Sequence, residues 1–377
     1  MIYADYNATT PLCPQSAEAI TGALQMWGNP SSTHQLGRQV LSSLHDAREI
    51  IAAKLNVKPS EVVFTSGGSE ANTLAILGSY LKIGSDFRLL TSKVEHSSIR
   101  DAVKLLISKG VKVEFVQLNK NGELVWEDFL KKLKEFNPHL ISLMTANNET
   151  GVKFNISAIK EVCGSTPIHT DAVQAFGKIS SQEFSGANLI SISSHKIYGP
   201  KGVGALIVKG DYSLIPTHYG GSQEIKRRGG TENTIGIIGF GAACALLDEQ
   251  KSEEKLKGFQ QYFEQSLQEN LQDIEINCQA ADRIPNTSNV RFKGISSEVL
   301  LSALDLEDIC VSAGSACSSG SISPSTVLLE LGLKEAEAKE CLRISWGTLT
   351  TLNEVECVVK ALTKHVNRIR ARKEQNA

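Results

Sequence analysis

Five polar clusters carry the residues best suited to chemistry, and each follows a short apolar run: TSGGSE, KVEHSS, ANNETG, TDAVQ and SSHK. Lys196, in SSHKIYGPKG, closes a run of apolar and small residues. A lysine at the end of a buried strand is poorly solvated, which lowers its pKa and makes its amine a nucleophile. On the local sequence alone, a surface lysine opening a loop is the commoner reading. Its neighbours Ser193, Ser194 and His195 offer short-range donors suited to a phosphate, and the glycines that follow permit close backbone approach. In TSGGSEAN, Gly67 and Gly68 precede Ser69, which can cap a helix whose free N–H groups form an anion site. A tight turn with an ordinary cap reads equally well.

Asp171, in HTDAVQ, follows a short strand, where a buried carboxylate calls for a cationic partner such as a protonated pyridine nitrogen. Gln174 lies three residues on and reaches the same ligand; a simple N-capping aspartate is the alternative. His96 offers a flat ring for stacking and for proton transfer, though a single loop histidine is more often structural. Cys317 sits in VSAGSACSSGSISPS, among small residues that cannot build a core. An exposed thiol there points to a reactive role. A Ser/Gly linker with an incidental cysteine is an equally good reading of that loop by itself.

These clusters need a scaffold. Between about residues 60 and 210, strand and helix patterns alternate. Strands are expected at 62–64, 88–91, 111–118, 140–144, 167–170, 189–193 and 205–208, with helices at 70–81, 99–109, 125–136 and 156–163. Such alternation predicts an α/β fold with a mainly parallel sheet covered by helices on both faces. Ligands bind at the carboxyl ends of strands in such sheets, where all five clusters fall. Gln35 to Leu55 carries a regular apolar stripe, and 234–271 reads as one long helical stretch with room for a break. Beyond residue 251 the rhythm changes to strands near 290–292 and 309–311 and helices at 298–304, 325–331 and 353–370, a second, smaller α+β domain.

Bulk properties narrow the class. A chain of 377 residues fits a large domain plus a smaller one. The formal net charge of -2 gives no basic excess for nucleic acid, and no apolar run has membrane-spanning length. MIYADYNATTPLCP has no signal-peptide pattern, so a cytoplasmic protein is expected. The 8 cysteines are scattered without a CxxC pair, which argues against a disulfide framework or a zinc site and predicts mostly buried, inert thiols.

Taken in order, YADYNATTP, GNPSSTH, TSGGSEAN, EHSS, ANNETG, HTDAVQ, SSHKIYGPKG, RRGGTEN, GSACSSG and LRISWG resemble the cysteine desulfurases of the aminotransferase class V branch, fold-type-I pyridoxal 5'-phosphate (PLP) enzymes. The resemblance covers nearly the whole chain. It implies a large PLP-binding domain over 13–250 and a small domain formed by 1–12 and 251–377. It implies that Lys196 carries PLP, that Asp171 pairs with the ring nitrogen, that Gln174 bonds the ring oxygen and that His96 stacks on the ring. Gly68, Ser69, Ser193 and His195 would hold the phosphate, with Thr231 reaching over from the second subunit of a homodimer. Asn148 and Arg343 would grip the carboxylate of L-cysteine, Arg343 through a bidentate fork. Cys317 would accept the sulfur and pass it to an acceptor protein for iron–sulfur cluster assembly or tRNA thiolation. A selenocysteine lyase, another class V enzyme, or a non-catalytic sulfur-relay protein on the same fold are the rival readings. The phosphate loop reads Gly-Gly-Ser where many relatives have Gly-Ala-Thr, and Ser69 keeps the hydroxyl. The ending IRARKEQNA is shorter than the tail some relatives use to dock a scaffold, which leaves room for a dedicated acceptor.

Overall fold

The computed structural model describes residues 1–313 and 324–375. Its strands, in chain order, are β1 (Ile2–Tyr3), β2 (Val62–Thr65), β3 (Arg88–Thr91), β4 (Lys112–Phe115), β5 (Leu140–Ser142), β6 (Ile168–Asp171), β7 (Leu189–Ser193), β8 (Gly204–Val208), β9 (Ile274–Ile276), β10 (Thr287–Phe292), β11 (Ile309–Cys310) and β12 (Cys341–Ser345). Seven of them form one sheet in the order β2-β8-β7-β6-β5-β3-β4. The expectation of a mainly parallel sheet holds, with one exception. β8 runs antiparallel to both β2 and β7, while β7, β6, β5, β3 and β4 pair in parallel. The reason is the connection: β7 and β8 are joined by a short loop instead of a crossover helix, so the chain must turn back. That returning loop carries Lys196.

Near-continuous apolar strands feed two cores, one on each face of the sheet. Phe64, Leu90, Ile141, Ile190 and Ile207 point into one, with the Gln35–Leu55 and Thr234–Ala245 helices. Their neighbours Val63, Leu89, Leu140, Leu189 and Leu206 point into the other, with the Gly68–Ile83 and Ser97–Ser108 helices. Period-two alternation thus fills both faces with apolar side chains, as a buried parallel sheet requires.

A third core gathers Phe263, Leu267, Val290, Phe292, Leu342, Ile344, Trp346 and the Leu352–Gln375 helix around an antiparallel sheet of order β12-β10-β9. The amino terminus joins this side: β1 pairs in parallel with β11, and Ala4 lies in the same core. The predicted stretch over 234–271 is two helices, Thr234–Ala245 and Glu249–Asn270, because Asp248 caps the second by accepting from the Lys251 amide at 3.1 Å. No helix among the described residues is long and apolar enough to cross a membrane.

Candidate functional site

At the carboxyl ends of the parallel strands lies a cavity of about 390 Å³. Its walls bring together Gly68, Ser69, His96, Asn148, Asp171, Gln174, Ser193, His195, Lys196 and Arg343, residues scattered over most of the chain. Two expected residues are not among them. Thr231 is exposed and borders a separate hollow beside Thr65, Ser66 and Gly202. Cys317 lies outside the described residues, but both flanks of its segment touch the cavity wall. Ser312 exchanges backbone hydrogen bonds with Arg343, at 3.1 and 2.7 Å, and the Ser325 hydroxyl donates to the Glu149 carboxylate.

The amine of Lys196 comes off the β7–β8 turn and donates to the carbonyls of Asn7, at 2.6 Å, and Ala8, at 2.7 Å. Burial, reinforced by the positive Arg343, pulls its pKa down to about 8, against the opposing pull of Asp5 and Asp171. The expectation of a poorly solvated amine is met. His195, one residue earlier, is pushed down to about 4 by burial and then by Lys196 and Lys201, so it is neutral at physiological pH. Its Nδ1 lies 3.1 Å from the Thr9 hydroxyl.

Asp171 ends β6 and is buried. Its carboxylate accepts from the Asn72 side-chain amide at 2.7 Å and from the Val173 backbone at 2.9 Å. None of the ion pairs among the described residues includes it. A buried carboxylate on a cavity wall with N–H donors but no cation fits a cationic ring nitrogen. The same Asn72 amide donates to the Ser98 hydroxyl at 3.0 Å, which lies 2.8 Å from His96 Nδ1. The Ser98 backbone also donates to that nitrogen at 3.2 Å. With Nδ1 accepting, the ring proton sits on Nε2. Desolvation at the cavity mouth lowers the His96 pKa, and the nearby Asp171 works against it.

The start of the Gly68–Ile83 helix offers free backbone N–H groups that could hold an anion. Gly67 has φ +154 and lies so close to β8 that a Cβ at Gly204 would come within 2.8 Å of its Cα. Only glycine serves at both places. Gly68, Ser69, Ser193 and His195 also line a second, more open hollow with Lys201, which adds a positive charge.

At the other end, Arg343 projects from the middle of β12. Its Nη2 donates to Asp5 at 2.7 Å, its Nη1 to the Asn148 carbonyl at 3.1 Å, and its Nε is buried without a partner. The fork expected for a substrate carboxylate is therefore shared with Asp5, itself a cavity residue.

Sequence reasoning missed the residue that ties the site together. Asn7 accepts Lys196 and Gln174 at its carbonyl, the latter at 2.9 Å, and donates through its side chain to Thr287 at 2.8 Å and to the Asn148 carbonyl at 3.1 Å. The YADYNATTP motif was the available signal; an uncharged asparagine drew no attention to itself. The cysteines match expectation: of the seven described, five are buried, and burial pushes Cys163 and Cys278 up to about 11 and Cys341 up to about 12. None lines the main cavity.

A cavity at strand ends, a half-buried amine, a buried carboxylate outside any ion pair and a helix amino terminus are the parts of a PLP enzyme. Residues 2–358 match the family model described as aminotransferase class-V. The chain is 38% identical over 376 residues to "Cysteine desulfurase IscS" of Dictyoglomus turgidum, covering 98% of this chain and 95% of that protein. It is 39% identical over 377 residues to "Cysteine desulfurase" of Trichormus azollae, covering 98% and 94%. Among solved structures, a NifS-like protein from Rickettsia africae superposes with a TM-score of 0.87 at 32% identity, covering 97% of this chain and 99% of that one. A structure described as "SspA in complex with cysteine" superposes with a TM-score of 0.81 at 32% identity, covering 93% and 100%. The chain belongs to the aminotransferase class-V family, and its fold is that of the PLP-dependent, NifS-like enzymes.

Proposed function

We propose that this protein is a cysteine desulfurase that converts L-cysteine to L-alanine and leaves the sulfur as a persulfide on Cys317. The observation that carries the reading is the Lys196 amine, held by the Asn7 carbonyl in one cavity with the buried carboxylate of Asp171 and the guanidinium of Arg343. The relatives' names support the reaction, and the cysteine-bound neighbour supports the substrate.

PLP, when bound, supplies an electron sink for charge developing at the substrate α-carbon. The remaining work belongs to the chain. Gly68, Ser69, Ser193 and His195 hold the phosphate, joined by Thr231 from a second copy of the chain in a homodimer. Asp171 keeps a proton on the ring nitrogen by its negative charge. Gln174 donates to the ring oxygen, and His96 stacks on the ring with its Nε2 proton available for transfer. Arg343 and Asn148 orient the substrate carboxylate. Lys196, once neutral, takes the α-proton, and a pKa near 8 leaves a working fraction unprotonated near pH 7. The Cys317 thiolate attacks the substrate sulfur. An S–S bond forms as the C–S bond breaks, the electron pair goes to carbon, and protonation there gives alanine. Residues 13–250 form the cofactor domain, with 1–12 and 251–377 as the smaller one. The persulfide passes to an acceptor protein in the cytoplasm, for iron–sulfur cluster assembly or tRNA thiolation.

The test is Cys317→Ala. The variant is expected to keep the visible absorption of bound PLP and to lose sulfide release from L-cysteine. Normal sulfide release would overturn the persulfide role and favour a lyase that needs no protein thiol.

A further inference from the structure

Lys178 is an amine that the reaction above does not use. It lies between Phe176 and Ile179, both fully packed, and is itself buried. Its Nζ donates to Gln174 Oε1 at 2.6 Å and to Asn7 Oδ1 at 2.9 Å. It belongs to none of the ion pairs among the described residues, and the charges that act on it, Lys196 and Arg343, are positive. Burial first, then those two charges, press its pKa well below the lysine range. Burying an amine with no counter-ion is costly, so the position has to be explained by what the amine holds.

It holds an orientation. A glutamine side chain presents an oxygen at one edge and N–H donors at the other, and a half-turn exchanges them at almost no steric cost. The Asn7 carbonyl can only accept, so the Gln174 edge facing it carries the N–H groups and the edge 2.6 Å from Lys178 is the oxygen; even a neutral lysine amine has two N–H groups, enough to donate to both Gln174 Oε1 and Asn7 Oδ1. Gln174 Nε2 donates to the Asn7 carbonyl at 2.9 Å. That carbonyl also receives Lys196, at 2.6 Å. Asn7 is fixed in the same way: its Oδ1 accepts Lys178 and the Asn286 amide, at 3.0 Å, so its Nδ2 is free to hold the Asn148 carbonyl.

We propose that Lys178 is a positioning residue, whose donation to Gln174 Oε1 and Asn7 Oδ1 locks the Gln174 amide with its N–H edge toward the cavity, so that the ring oxygen of the cofactor meets a donor. The proposal rests on the PLP reading above. A donor on that oxygen favours the form carrying more negative charge there, so its loss raises the pH midpoint of the cofactor's visible absorbance.

The experiment titrates that absorbance in four PLP-loaded proteins: wild type, Lys178→Met, Gln174→Ala and the double variant. Lys178→Met and Gln174→Ala are each expected to raise the midpoint by about half a pH unit or more, the size of one lost hydrogen bond. The double variant is expected to match Gln174→Ala, since lysine acts through glutamine. A midpoint unchanged in Lys178→Met, or a full extra shift in the double variant, would overturn the proposal; a purely structural role lowers the unfolding temperature without moving the midpoint. If Lys178→Met does not fold, Lys178→Gln, which keeps N–H donors, replaces it. Its midpoint is expected close to wild type, and a midpoint at the Gln174→Ala value sinks the idea. Absence of any visible band in the wild type would remove the cofactor reading itself, and the proposal with it.

Discussion

Where the cavity meets the seven-stranded sheet, its polar groups come from strand ends and short loops, and its amine is held inside a hydrogen-bonded network of the chain. Lys196, Gln174, Lys178 and Asn7 form one closed network. Where it meets the three-stranded sheet, the working group comes from the middle of β12 and is held in part by a carboxylate, where Lys196 is held by backbone carbonyls: Arg343 pairs with Asp5 and keeps its buried Nε unpartnered. The contrast matches two tasks. A resident cofactor is served by groups fixed in advance, since preorganised donors cost no rearrangement during reaction. In the proposed function, a substrate that comes and goes is served by a charge that can trade the carboxylate of Asp5 for the substrate's.

Three substitutions sharpen or break that contrast. The largest effect belongs to the fixed end. Lys196→Ala is expected to abolish the visible band and to lower sulfide release by on the order of 10³-fold or more, because it removes both the proposed cofactor tether and the proposed base. Stopped assays with L-cysteine and an absorbance spectrum check it. At the exchangeable end, Arg343→Lys is expected to raise KM for L-cysteine about 10- to 100-fold while leaving the visible band in place, since lysine keeps the charge but not the fork. A Lys variant that loses the band would show that both ends serve the cofactor.

The smallest effect concerns Glu95, which lines the cavity beside His96. It is fully buried, with Oε2 unpartnered, and burial raises its pKa from 4.5 to about 8. The folded state therefore holds a proton that the unfolded state releases above pH 4.5. Stability from this group is present below that pH and is lost as pH rises toward 8. Glu95→Gln is expected to unfold at the wild-type temperature near pH 4.5 and a few degrees higher at pH 8. Equal melting curves at both pH values would place the Glu95 charge in ordinary solvent.

The two ends also differed in how far the sequence disclosed them. β3, β7 and the helices Gln35–Leu55 and Ile156–Cys163 were readable to the residue, because a buried parallel sheet writes long apolar runs and its helices a regular stripe. The strand-end clusters followed from those runs. β9 and β12 were not read as strands, although Arg343 lies in a motif that stood out. β9 has only three residues, and in β12 the charged Arg343 at the centre breaks the apolar run that marks a buried strand. The helix Pro14–Ala23 was missed because it packs through small residues, Ser16 and Ala23, and carries no apolar stripe. Lys178 and Asn72 went unnoticed because their importance is relational. Nothing in a lone lysine or asparagine says which glutamine or carboxylate it will meet.

The central claim is that one amine of this chain, and no other, carries the cofactor. The direct measurement reduces the PLP-loaded protein with sodium borohydride, digests it and locates the added mass. The account predicts the label on Lys196 alone. A label on Lys178, the buried amine beside Gln174, or on Lys201 at the rim, or no label at all, would contradict it.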